Sequence, residues 1–171
     1  LLIFAGPDFD TDKIIKRGIP KGASVHLAKM TKRGLNGLSR SMRGLRFAPL
    51  PGTLREGGII IRETKKSGKN SRLLIKEQAQ EQAVHSLIES PEILHIATHG
   101  FFLKADEEIK KRLLKLQRSG NLHAPPPGDN PLLRSGLAFA GINKNAPFLG
   151  KIDTANDGIL TSMEVLGLNL E

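Results

Sequence analysis

The sequence predicts an α/β domain built on a parallel sheet, and three observations carry that reading. Short apolar runs bounded by turn residues, Leu1 to Ala5, Arg72 to Ile75 and Ile93 to Thr98, have the length of buried strands and are too short for buried helices. Between the last two, Ala79, Ala83, Val84, Leu87 and Ile88 recur at helical spacing and stop ahead of Pro91. Strand and helix therefore alternate, which calls for parallel strands joined by right-handed crossovers.

Taken in order, Gly6-Pro7-Asp8 is a turn signal that closes the first strand. From Lys13 to Arg55 there is no acidic residue against eleven Lys and Arg, and glycines at 18, 22, 34, 37 and 44 break any long helix. A basic loop at about 13–48 is expected. Thr53 followed by Glu56 has the spacing of a capping box and predicts a helix to about Lys66, although Gly57-Gly58 weakens it by roughly 1 kcal/mol per glycine. Ser67-Gly68-Lys69-Asn70 is a turn into the second strand. After the third strand, Ile109, Leu113 and Leu116 share one face of a helix over 106–118, and Ala124-Pro125-Pro126-Pro127-Gly128 is a stiff linker. The excursion at about 104–130 reads as an insertion, either a lid or a surface segment. Residues 131–141 are small and apolar and look buried. Asp157-Gly158 is a turn, and Thr161 with Glu164 forms a second capping box that opens a helix through Val165 and Leu166. Alternation would place another strand after that helix. None follows, and the chain starts without Met inside an apolar run, so the sequence is expected to be a piece of a longer protein.

Composition sets the outer limits. With 171 residues and 39% hydrophobic residues, one folded domain over 1–171 is expected. The net charge of +9 suits a polyanion-binding arm, but a solvated insertion is the simpler reading of the basic loop. Trp and Tyr are absent, so stacking on bases would rest on seven Phe. There is no cysteine, hence no disulfide and no cysteine-bound metal within this chain. No apolar run approaches the roughly 18 residues needed to span a membrane, and no basic leader precedes the first apolar stretch. No membrane partner and a cytoplasmic location are expected.

The candidate chemistry sits where the third strand stops, at His99-Gly100. In open α/β sheets ligands bind beyond the carboxyl ends of the strands. A histidine there can act as general base, since a free imidazole titrates near pH ~6.5. Gly100 presents no side chain, so its N–H can face a developing oxyanion. His95 and His99 have the i, i+4 spacing of a helical zinc site. On a strand they lie ~13 Å apart at about 3.3 Å per residue, so no metal or other cofactor is expected. Ser135 lacks a Gly-x-Ser-x-Gly elbow and is not read as a nucleophile. Asp153 and Asp157 read as turn residues, and Arg134 reads either as a contact to an acidic substrate side chain or, more simply, as a surface ion pair.

Four ordered segments resemble the CHAT domain family, caspase-related domains associated with tetratricopeptide repeats. His95-Ile96-Ala97-Thr98-His99-Gly100-Phe101-Phe102 is similar to its signature, and Leu50-Pro51-Gly52-Thr53 to its early loop and helix start. Pro131-Leu132-Leu133-Arg134-Ser135-Gly136-Leu137-Ala138 resembles its middle motif, and Asp157-Gly158-Ile159-Leu160-Thr161 with Glu164-Val165 the segment before its last catalytic strand. The resemblance implies a caspase-like three-layer αβα sandwich with a mostly parallel sheet, truncated here before its last catalytic strand. It implies a cysteine peptidase in which His99 is the catalytic imidazole and the Gly100 N–H an oxyanion donor. His95 would be a strand residue orienting structure behind the site.

The family's nucleophilic cysteine is expected just beyond Glu171, and the chain as given lacks it. Protein or peptide substrates, and a tetratricopeptide-repeat region in the same parent chain, are the implied partners. A catalytically inactive caspase-like interaction module is the alternative. Nucleic-acid binding through Lys29, Lys32, Arg33, Arg40 and Arg43 ranks third.

Overall fold

A computed structural model describes residues 1–13, 42, 44–87, 89–104, 111, 131–145 and 156–168. The first apolar run becomes β1 (Leu2–Pro7), and Arg72–Lys76 becomes β2. Leu94–Ala97 becomes β3. The three form one parallel sheet in the order β2-β1-β3, with Ile3 opposite both Leu73 and His95. β1 takes the centre because both its faces are apolar. Ile3 and Ala5 point to one side, where Ile60, Ile61 and Ala97 pack. Leu2 and Phe4 point to the other, against Ala79, Val84, Phe139 and Leu160.

Helix α1 (Pro51–Lys66) covers the first face. It lies so close that a Cβ added at Gly57 would sit 2.6 Å from Ala5 Cβ. The Gly57 that weakens the isolated helix is what lets it dock. The expected Thr53–Glu56 capping box does not form. Pro51 occupies the first turn with its φ already set, and Leu50 is the cap. Thr53 Oγ1 instead donates to the Leu50 carbonyl (2.7 Å) and accepts from the Gly6 N–H (3.1 Å), tying α1 to the end of β1. Lys65 and Lys66 in the last turn complement the helix dipole.

The helix expected over 79–88 contracts to α2 (Glu81–His85). Ala79 cannot join it, because its carbonyl accepts from the Ala140 N–H (3.0 Å) across the fold. The third strand ends at Ala97 rather than Thr98, and the chain passes directly into β4 (Gly100–Phe102). β4 belongs to a second sheet that the sequence did not announce. It is antiparallel, in the order β4-β5-β6, with β5 at Ser135–Ala138 and β6 at Ile159–Thr161. The expected mostly parallel sheet therefore accounts for half of the described strands. Between β5 and β6 lies α3 (Ile142–Asn145), and α4 (Ser162–Val165) follows β6. The second capping box forms as expected: Thr161 Oγ1 accepts from Glu164 N, and Glu164 Oε2 accepts from Thr161 N. Most of the basic loop (14–41 and 43), the helix over 106–118 apart from Lys111, the linker at 124–128 and Asp153 lie outside the described residues.

Candidate active site

His99 occupies the two-residue seam, Thr98-His99, through which the parallel sheet hands the chain to the antiparallel one. The seam is pinned from both sides. Thr98 Oγ1 donates to the Ala138 carbonyl (2.5 Å), and the Ala138 N–H donates to the His99 carbonyl (2.9 Å). The imidazole packs against the rings of Phe9 and Phe47, at centroid distances of 5.4 and 5.5 Å, and those two rings lie 6.1 Å from each other. These rings belong to a buried apolar cluster with Met42, Leu103, Ala138, Ile142 and Ile159.

The ring is also oriented. His99 Nε2 is 2.8 Å from the Ala48 carbonyl oxygen. A carbonyl only accepts, so Nε2 carries the hydrogen, and in the neutral ring Nδ1 keeps the lone pair. An imidazole so held has its basic atom on the side away from Ala48, with its tautomer fixed before any substrate arrives. Nothing in the sequence marks Ala48 for this task. A backbone carbonyl 51 residues away has no signature of its own.

Gly100 opens β4, and its phase in the ladder follows from its neighbours. Ala138 N bonds His99 O, and Leu103 N bonds Arg134 O (2.7 Å). Residues 99, 101 and 103 therefore turn their backbone groups toward β5, while the Gly100 N–H faces the outer edge of β4. That edge has no strand partner among the described residues. A Cβ at Gly100 would meet only Leu137 Cδ2 at 3.9 Å and the Gly136 carbonyl at 4.0 Å, and its φ is not positive. Packing does not demand glycine here. Gly100→Ala is expected to change stability by less than about 0.5 kcal/mol in a denaturant titration.

The remaining singled-out residues go elsewhere. His95 Nε2 lies 3.0 Å from Glu56 Oε1 on α1, without the alignment of a hydrogen bond. The two histidines thus engage different partners on different elements. Ser135 Oγ sits 2.8 Å from Ser162 Oγ, and Asp157 Oδ1 accepts from the Ile159 N–H (2.8 Å), which is turn chemistry. Arg134 donates to the Leu103 carbonyl (3.1 Å) and lies over the Phe102 ring at 5.7 Å. A cleft of ≈ 350 Å³ lined by Leu2, Arg72, Leu74, Gln82 and Leu87 opens at the β2–α2 side. Leu2 pairs with Leu94 at the start of the parallel strands, whereas His99 follows their other end, so this cleft does not join the site.

A second constellation escaped the sequence reading. Glu81, His85, Asp157 and Glu164 are all buried. Glu81 Oε2 accepts from the N–H groups of Gly158 (3.0 Å) and Ile159 (3.2 Å), and Oε1 lies 3.0 Å from His85 Nε2. Burial, with Glu164 nearby, pushes the Glu81 carboxyl well above its ordinary range. Burial does the same to Asp157, with the charges of Glu81 and Glu164 adding to it. Burial lowers His85 despite the pull of Glu164. Each shift favours the neutral form of its group in the Glu81–His85 contact. Glu164 is raised less emphatically, since two hydrogen bonds from Thr161, both at 2.7 Å, favour its charged form. One ligand atom each from Glu81, His85 and Glu164 lie within 4.8 Å of one another, which is the geometry by which these residues could hold a metal ion. Backbone N–H groups already occupy Glu81 Oε2 and Glu164 Oε2, so the arrangement reads as an internal clip.

The fold and the site together define a mixed α/β domain with an oriented histidine at the end of a parallel strand. The chain belongs to the CHAT domain family, whose family model matches residues 1–171, and CHAT domains are caspase-like and protease-related. The family is associated with tetratricopeptide-repeat proteins. No curated protein and no solved structure matches the chain. Among the described residues, no helix is long and apolar enough to cross a membrane.

Proposed function

We propose that this chain supplies the histidine side of a caspase-like cysteine peptidase site, within a three-layer αβα fold. His99 Nδ1 is the general base that takes the proton of a thiol, and the Gly100 N–H helps hold the oxyanion of the tetrahedral intermediate. The sequence contains no cysteine, so the nucleophile comes from outside these 171 residues. One observation carries the reading: the 2.8 Å bond from His99 Nε2 to the Ala48 carbonyl. A histidine serving only to fill space has no need of a fixed tautomer, whereas a base does. The outward Gly100 N–H at the neighbouring residue supports it.

In this reading the thiol's proton moves to Nδ1 as sulfur attacks the peptide carbonyl carbon. The proton then passes to the leaving amine, and water completes hydrolysis by the same route. The carbonyl of Ala48 stabilises the imidazolium formed in between through the Nε2–H bond. The substrate is a peptide or an extended protein segment.

The test is turnover of a peptide library by the thiol-bearing parent protein. His99→Ala is expected to lower kcat/KM by about 10²–10⁴. Unchanged turnover in His99→Ala rejects the assignment. No turnover in the wild type, with partner binding retained, would instead favour a non-catalytic caspase-like interaction module.

A further inference from the structure

Asn143 does more in this structure than its place in a short helix requires. Its side-chain Oδ1 accepts from the Phe47 N–H (2.9 Å), and its Nδ2 donates back to the Phe47 carbonyl (2.9 Å). Both polar groups of one residue are thus gripped by one amide, as a neighbouring strand would grip them. Nδ2 also donates to Asp10 Oδ1 (3.2 Å), which takes Arg46 Nη2 at 3.0 Å. The backbone N–H of Asn143 donates to the Phe9 carbonyl (3.0 Å).

These contacts converge on one object. Phe9 and Phe47 are the two rings that pack against His99, and Ala48, whose carbonyl takes the His99 Nε2 hydrogen, is the residue after Phe47. The segment over 45–50 has no helix or strand of its own to fix it. Its geometry depends on side chains reaching in, and Asn143 fixes the peptide groups on both sides of Phe47. An amide is the one short side chain that offers an acceptor and two N–H donors at once. Aspartate supplies no donor, and serine cannot span both sides.

We infer that Asn143 is a positioning residue for His99: it holds the 46–48 segment so that the Ala48 carbonyl keeps the imidazole in its Nε2–H tautomer, leaving Nδ1 as the base. This rests on the reading of His99 as the base, and the experiment separates the two. Nitrogen-15 NMR of the histidine rings reports tautomers directly. The spectrum of the 171-residue chain, with His99 assigned through a His99→Gln variant, is expected to show the Nε2–H form.

Asn143→Ala is expected to shift the His99 tautomer ratio roughly fivefold toward Nδ1–H, the size of one lost hydrogen bond. His85 and His95 should be unmoved, which a general loosening would not spare. Asn143→Asp, close in shape but without the donors, is expected to shift the ratio in the same direction, and it decides the matter if the alanine variant does not fold. The inference is overturned if the folded variants keep the wild-type ratio. It is overturned as well if neither folds, since Asn143 would then be a folding residue. A wild-type His99 found in the Nδ1–H form would instead overturn the base assignment itself.

Discussion

Glu81→Ala is expected to leave the protein largely unfolded at neutral pH. Glu81 is a clip between α2 and the start of β6: one oxygen takes the N–H groups of both Gly158 and Ile159, and the other meets His85. None of these groups is near water. Alanine orphans two buried groups, the Gly158 N–H and His85 Nε2, at roughly 1–3 kcal/mol each, while the Ile159 N–H keeps Asp157 Oδ1, so about 2–6 kcal/mol is lost before the vacated volume is counted. A domain of ordinary stability, about 5–15 kcal/mol, does not absorb that comfortably. Glu81→Gln keeps the acceptor and the shape, and is expected to fold.

The glutamine variant also separates packing from protonation. Glu81, Asp157 and Glu164 titrate above their ordinary values in the folded chain because they are buried, Asp157 and Glu81 by the larger margin. For each, the folded state holds a proton that the unfolded state has released once the pH passes roughly 4. Their contribution to stability is complete below that pH and is lost as pH rises toward the folded values. His85 runs the other way. Its value is lowered by burial, so its contribution is complete above about pH 6.5 and is lost as pH falls below it. The two trends oppose each other between about pH 4 and 6.5.

Above that window the carboxyls act alone, and stability should decline with rising pH by about 1.4 kcal/mol per unit for each proton still held. Glu81→Gln should flatten that decline in urea titrations run upward from about pH 4. An identical slope in variant and wild type would mean that Glu81 is already ionised in the fold.

Gly136→Ala is the second large effect. Gly136 lies at the centre of β5, opposite Phe101 on β4 and Thr161 on β6. A Cβ there would stand 2.5 Å from the Leu160 carbonyl and 3.1 Å from both Thr161 Cα and Phe101 Cζ. Two of those three atoms are backbone. They cannot step aside as a flexible side chain would, so the β5–β6 ladder has to open. The cost is expected at or above the roughly 3 kcal/mol upper end of ordinary overpacking. For a chain of this size that is about 6–12 °C in Tm. Amides of β6 should lose hydrogen-exchange protection before those of β1. A variant within about 0.5 kcal/mol of wild type would show that the ladder accommodates the methyl.

The parallel half of the fold was legible because each strand is an apolar run and each crossover has a boundary that local chemistry dictates. Ile3 and Ala5 against Leu2 and Phe4 needed only the two-residue period of a strand. The Thr161–Glu164 box was legible for the same reason, since its partners are three residues apart. The identical pattern at Thr53 and Glu56 misled, because Pro51 claims the helix start and tertiary partners recruit both side chains. The antiparallel sheet was hidden in strands of three and four residues, one centred on a glycine. His99 and Gly100 stood out by position at a strand end. Ala48, Asn143 and Glu81 did not: their roles consist of bonds between a side chain and a backbone group 51, 96 and 77 residues apart. Glu81 falls outside the apolar spacing of Ala79, Ala83 and Val84, yet it is fully buried.

Gly57 and Gly58 are neighbours that read alike in the sequence, yet the fold separates their fates. At 57 an added methyl collides with Ala5 and Leu73, while at 58 nothing lies within 4 Å. Drift in a lineage would accordingly be silent at 58, where any good helix former even firms up α1 by up to about 1 kcal/mol. At 57 each replacement lifts the helix off the sheet. Two identical letters side by side thus carry opposite evolutionary freedoms, one a vacancy open to change and the other a fixed spacer that sets how near a helix can come to the strand leading toward the site.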